Sequence, residues 1–174
     1  MLWGYSLGSG PTIELASRIQ NLAGIILQAP LASVLFWLDE SANIDFCCKE
    51  NDIYNNINKI ENVKCKIFMI HGKEDITINA RHSYFLYEKY VKAKTSNNKI
   101  WLIIAEGVGH CDLHLLLMDE KLTFCEKLRS FLSYLGRKEC KLKNYFSPLN
   151  HEREFFLEKE NKALGLVYKN IKIM

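Results

Sequence analysis

Short apolar runs alternate along this chain with longer stretches of helical spacing. Leu2-Trp3 ends a first run, and Ala23–Ala29, Cys65–Ile70 and Ile100–Ile104 are three more. The later runs are apolar at consecutive positions rather than at every second one. That is the pattern of parallel strands covered on both faces. Helical spacing follows each run. Pro11 to Ile19 continues a helix after the first, with Pro11 near its opening turn, where backbone N–H groups lack partners anyway. Ile53, Ile57 and Ile60 mark a short amphipathic helix over 52–60. Tyr84, Leu86, Tyr87, Tyr90 and Val91 form a stripe over 79–92. Leu113 to Leu135 reads as a long amphipathic helix stopped by Gly136. Leu31 to Leu38 suits a short helix or a pocket wall, and 39–51 is polar and loop-like. Four strand–helix repeats predict an α/β fold, a parallel sheet with helices on both faces. Functional groups in such sheets lie beyond the carboxyl ends of the strands.

The pattern changes near Arg137. Lys138, Lys141 and Lys143 are followed by a highly charged stretch from Glu152 to Lys162 that contains Phe155, Phe156 and Leu157. The expected division is a domain over 1–136 and a charged, partly helical extension over 137–174. With 174 residues the chain suffices for one core and not two. Its net charge of +3 is spread along the sequence, which gives no reason to expect nucleic acid as a partner. There is no run of eighteen apolar residues and no basic-then-apolar leader, so the expected setting is cytoplasmic. Cys47, Cys48, Cys65, Cys111, Cys125 and Cys140 form no C-x-x-C pair and are expected as reduced thiols. The adjacent Cys47-Cys48 also admits lipid attachment or a metal corner.

Candidate chemistry starts at Gly4-Tyr5-Ser6-Leu7-Gly8, which reads G-x-S-x-G. This is the pattern of a nucleophile elbow, a sharp strand-to-helix turn with serine at its tip. Glycines two residues either side are expected to relieve the crowding there. The N–H of Leu7 would face the same space, at a helix N-terminus that favours developing negative charge. A nucleophilic serine needs a base to take its proton and an acid to orient that base. On an α/β sheet of this kind the chain order is serine, acid, histidine. Asp75, after the strand ending at His71-Gly72, and His110, after Gly107-Val108-Gly109, supply that order. Taken singly, Asp75 also suits a helix cap and His110 an ordinary surface loop. His110 and His114 have the i, i+4 spacing of metal ligands, but no third ligand is indicated, and no metal or other cofactor is expected. His71, His82 and His151 suggest no partner and read as structural or exposed.

The sequence resembles an α/β hydrolase, and within that superfamily the Bem46-like and ABHD17-type serine hydrolases, the latter protein depalmitoylases. The resemblance runs from Leu2 to Leu135. It rests on GYSLGSGPTIELASR, on Gln28-Ala29-Pro30-Leu31, on IHGKEDITI and on EGVGHCDL. It implies Ser6 as nucleophile, Asp75 as acid, His110 as base and the Leu7 N–H as one oxyanion donor. It also implies an ester or thioester of a small acyl group, a lipid or an acylated protein as substrate, and adds peripheral membrane contact to the expectation. Leu31, Val34, Leu35, Phe36 and Trp37 would either wall an acyl site or simply pack the core. The family carries several strands before the elbow, one of whose loops gives a second oxyanion donor. Here Gly4 is preceded by three residues, so the expected fold is partial, with N-terminal strands missing. The competing reading is a catalytically impaired fragment or a non-catalytic binding module.

Overall fold

The computed structural model describes residues 1–41, 43, 44, 51–93, 100–112, 123–135 and 171–173. Strand β1 (Leu2–Tyr5) turns through one 3-10 turn (Ser6–Gly8) into helix α1 (Ser9–Arg18). Strand β2 (Gly24–Gln28), helix α2 (Val34–Leu38) and helix α3 (Asn56–Lys59) follow. Then come strand β3 (Lys66–Gly72), helix α4 (Arg81–Ala93), strand β4 (Ile100–Ala105), helix α5 (Thr123–Tyr134) and strand β5 (Ile171–Ile173). The sheet order is β1-β2-β3-β4-β5, with the first four strands parallel. The predicted parallel sheet is therefore present. Its carboxyl ends hold Ser6 after β1, Asp75 after β3 and His110 after β4.

The consecutive apolar positions sort by parity onto the two faces. Ile25, Leu27, Ile67, Met69, Leu102 and Ile104 pack with Ile13 and Ala16 of α1, Ile57 of α3, and Leu86 and Tyr90 of α4. Ile26, Phe68, Ile70 and Ile103 pack on the other face with Leu128, Phe131 and Leu132 of α5. Burying a side chain of this size contributes roughly 1.5–3 kcal/mol. Two full layers thus hold the strand ends in fixed register.

Two features go beyond the pattern. Residues 171–173 of the charged extension pair antiparallel with β4, Ile104 opposite Lys172, so the extension reaches back to the sheet. The rest of the extension, with the helix expected there, lies outside the described residues, as do Cys47, Cys48, Cys140, His114 and His151. Strand β1 forms the opposite edge. Trp3 and Tyr5 share the face that α5 covers further along, and both are exposed. Among the described residues no helix is long and apolar enough to cross a membrane.

His82 on α4 is fully buried and has a partner after all: its Nδ1 accepts the Ala32 N–H at 3.0 Å. Nδ1 must be unprotonated to do so, and Nε2 faces no hydrogen-bond partner among the described residues. Burial, then the nearby His71 and Arg81, push the imidazole from 6.5 down to about 3. The unfolded chain therefore binds this proton below pH 6.5 while the native chain refuses it until about pH 3. His82's contribution is complete above pH 6.5 and is lost as pH falls toward 3. The expected slope approaches about 1.4 kcal/mol per pH unit. His82→Asn keeps an acceptor for Ala32 and does not titrate, so the pH 6.5 to 4 slope of urea-unfolding free energy should be shallower than in wild type by up to about 1.4 kcal/mol per pH unit. The wild-type slope persisting in it would refute the assignment.

Candidate active site

Ser6 stands at the tip of the β1–α1 turn with φ of 54°, a left-handed conformation that a non-glycine residue adopts only under constraint. The constraint comes from its neighbours. A Cβ on Gly4 would lie 2.5 Å from Thr12 Oγ1 and 2.6 Å from the Gly8 carbonyl oxygen, so only glycine lets α1 fold back over β1. Gly8 is different from the expectation. It is an ordinary helical residue, φ −62°, and an added Cβ meets nothing within 4 Å. The turn has already cleared β1 there, so crowding is relieved by Gly4 alone. Gly4→Ala is expected to destabilise by about 1–3 kcal/mol through overpacking. Gly8→Ala is expected to be neutral or slightly stabilising, which melting of the two variants side by side will check.

The acid and base loops are zipped together. The Lys73 N–H donates to the Ala105 carbonyl at 2.8 Å and the Glu74 N–H to the Val108 carbonyl at 3.2 Å. Glu74 Oε2 accepts the Val108 N–H at 3.1 Å. Gly72 permits this approach, since a Cβ there would sit 2.2 Å from the Val108 carbonyl oxygen. Lys73 Nζ and Glu106 Oε1 close the outer side at 2.6 Å.

These loops bring three predicted residues together. His110 Nε2 is 3.0 Å from Ser6 Oγ, and His110 Nδ1 is 2.7 Å from Asp75 Oδ2. Asp75 Oδ1 meanwhile accepts the Thr77 N–H at 2.9 Å and the Ile78 N–H at 2.8 Å. The two readings of Asp75, cap and acid, thus use different oxygens of one carboxylate. Its burial alone would raise the carboxyl. The His71 hydrogen bond, the Ile78 N–H and the His110 hydrogen bond outweigh that and hold it at about 2. Asp75 is therefore ionised and can only accept, so the His110 proton sits on Nδ1 and Nε2 offers a lone pair to the serine hydroxyl. Leu7 is the second residue of the 3-10 turn that Ser6 opens, where backbone N–H groups lack helical partners.

Sequence reasoning passed over Tyr5. Its ring stacks on His110 with centroids 5.2 Å apart, and its hydroxyl donates to the His110 carbonyl at 3.1 Å. Removal from water, then the hydrogen bond to Cys111 Sγ, push the phenol up to about 12, so it stays a donor. The strand that carries the serine thus also steadies the histidine loop. The only available signal was its position inside the elbow motif. Of the candidate pocket wall, Leu31 and Phe36 are core residues, while Leu35 and Trp37 are exposed. Asp112 Oδ2 accepts the Gly109 N–H at 3.1 Å, which occupies the residue between the two histidines considered as metal ligands. Among the described residues no group of three His, Cys, Asp or Glu side chains is placed to hold a metal ion.

The elbow turn and the four parallel strands with their covering helices form part of an α/β-hydrolase fold. Solved structures agree at the level of fold. An acylaminoacyl peptidase of Pyrococcus horikoshii superposes with a TM-score of 0.57 at 16% identity, covering 93% of this chain and 26% of that one. An esterase of Pyrococcus furiosus gives 0.54 at 16% identity, covering 76% and 52%. A step finer, the sequence is similar to α/β-hydrolase domain-containing 17 proteins. It is 33% identical over 134 residues to human protein 17C, covering 77% of this chain and 36% of that protein, and 29% identical over 133 residues to human 17B, covering 76% and 41%. The α/β-hydrolase domain-containing protein aho-3 of Caenorhabditis elegans is 33% identical over 132 residues, covering 76% of this chain and 35% of that protein. The chain thus spans little more than a third of the length of the curated relatives it matches. No protein-family model matches it.

Proposed function

We propose that the chain carries the catalytic residues of a serine hydrolase that cleaves an ester or thioester through an acyl-enzyme. The observation behind this is the continuous hydrogen-bonded line from Ser6 Oγ through the His110 ring to Asp75 Oδ2. Ser6 Oγ attacks the acyl carbonyl carbon while His110 Nε2 takes its proton. Asp75 holds the Nδ1 proton and stabilises the imidazolium. The Leu7 N–H supports the oxyanion. Collapse breaks the bond to the alcohol or thiol, which leaves with the proton from His110. Water then repeats the sequence in reverse and frees Ser6. Leu7 and Ile76, next in sequence to the nucleophile and the acid, expose apolar side chains, which supports an acyl chain or an acylated protein surface as substrate. The fit to a peripheral membrane surface rests on the same exposed side chains. The reading is tested by mixing protein with a short acyl thioester, following thiol release, and trapping the adduct by acid quench. A mass increase of one acyl group on the Ser6 peptide is expected. Thiol release without any adduct on Ser6 would reject it.

The second reading, a binding module or impaired fragment, draws on the exposed Trp3 and Tyr5 beside the β1 edge. Strand edges with apolar surroundings invite pairing with another chain. Under this reading residues 1–174 expressed alone sediment as larger species and release no thiol.

A further inference from the structure

The buried imidazole of His71 takes no part in the proton path described above. It lies near the end of β3, fully buried, four residues before the acid. Its Nε2 is 2.8 Å from the Ile78 carbonyl oxygen and 3.2 Å from Asp75 Oδ2. Its Nδ1 is 2.7 Å from Ser83 Oγ on α4. A carbonyl oxygen only accepts, so the proton is on Nε2. In the Nε2–H tautomer Nδ1 accepts the Ser83 hydroxyl, which holds the ring in place. The Nε2–H is shared between two acceptors. Asp75 Oδ2 in turn sits between two imidazole N–H groups, that of His110 and that of His71. With Oδ1 held by two backbone N–H groups, neither oxygen of the carboxylate is left to swing.

We propose that His71 is a positioning residue for the candidate triad acid, a buried imidazole whose Nε2–H keeps Asp75 Oδ2 aimed at His110, with Ser83 holding the ring from its other nitrogen. The inference rests on the serine-hydrolase reading and adds a fourth and fifth member to its line of hydrogen bonds. The charged and titratable groups around His71 are Asp75 on its own segment and, on α4, His82. The low Asp75 carboxyl fits the arrangement: against burial, which raises it, the His71 hydrogen bond is the foremost influence lowering it. A histidine that merely filled the core would leave the acid's aim unchanged when replaced by a side chain of similar volume.

The experiment compares His71→Leu, His71→Gln and Ser83→Ala with wild type, reading kcat and KM on a short acyl ester and fluorophosphonate labelling of Ser6. Glutamine can place an amide N–H near the position of Nε2, and leucine cannot. His71→Leu is expected to lower kcat roughly 10- to 100-fold, the size found for groups that orient metal-bound imidazoles. KM should stay within about threefold, because the ground state loses nothing. His71→Gln should recover most of the loss, and Ser83→Ala should lose severalfold. Folded His71→Leu with wild-type kcat, or His71→Gln as impaired as His71→Leu, overturns the proposal. Where His71→Leu does not fold, a folded Ser83→Ala with unchanged kcat overturns it equally. Wild type that labels at Ser6 while all three variants match it sinks this inference alone; wild type that never labels sinks the hydrolase reading and this inference with it.

Discussion

Ser6→Ala is expected to lower kcat by on the order of 10⁶, the loss seen when the nucleophile of such a triad is removed. The size follows from the geometry. His110 Nε2 has one reacting partner, 3.0 Å away, and alanine leaves it nothing to deprotonate. Substrate binding should survive, because the hydroxyl is small and the exposed Leu7 and Ile76 are unchanged. Alanine keeps the Cβ that makes a φ of 54° costly, so the strain is unchanged and melting of the variant is expected close to wild type. Residual hydrolysis within about tenfold of wild type would place the chemistry elsewhere, given what loss of a nucleophile costs.

The second large effect is Asp75→Asn, with kcat expected to fall on the order of 10⁴. The carboxamide oxygen will keep the Thr77 and Ile78 N–H groups, since they need an acceptor. That choice turns the NH₂ group toward His110 Nδ1 and His71 Nε2, both of which donate in the wild type. His110 can restore a hydrogen bond only by moving its proton to Nε2, and an Nε2–H cannot accept the proton of Ser6. The loss is therefore one of tautomer rather than of placement, and the distances should change little. The same substitution also removes a pH effect. The Asp75 carboxyl is held at about 2 against an ordinary 3.8, so its contribution is present above 3.8 and is lost as pH falls to 2. That contribution is on the order of 2 kcal/mol by linkage. Kinetics and acid unfolding of the variant check the two consequences separately. Near wild-type kcat would mean that another carboxylate, Glu74 or Glu106, orients the base.

Much of this was legible in the chain because it depends on local pattern. The consecutive apolar residues of Gly24–Gln28, Lys66–Gly72 and Ile100–Ala105 can only be buried on both faces, which fixes a parallel sheet and its carboxyl edge. The order Ser6, Asp75, His110 then put three chemically complementary groups along that edge. What escaped were contacts between residues distant in sequence or set by packing alone. His71 with Ser83 and His82 with Ala32 are partners 12 and 50 positions apart, and nothing local announces them. Gly8 was read as sterically required because the motif pairs it with Gly4, yet open space surrounds it and only the path of α1 reveals that. The antiparallel pairing of Ile171–Ile173 with β4 was hidden because a three-residue strand carries too short a pattern to separate from a charged extension. Tyr5 was overshadowed by the serine beside it, although its reach to the His110 carbonyl is what couples the elbow to the histidine loop.

The reactivity of Ser6 is expected to depend on His110, held in place by Asp75. The most direct measurement is the rate of fluorophosphonate labelling, with the modified peptide identified by mass spectrometry, in wild type, His110→Ala and Asp75→Asn. A single modified residue, Ser6, is expected in wild type, with labelling slowed by several powers of ten in both variants. Labelling of Ser6 at the same rate in all three proteins, or of another serine in wild type, would contradict that expectation.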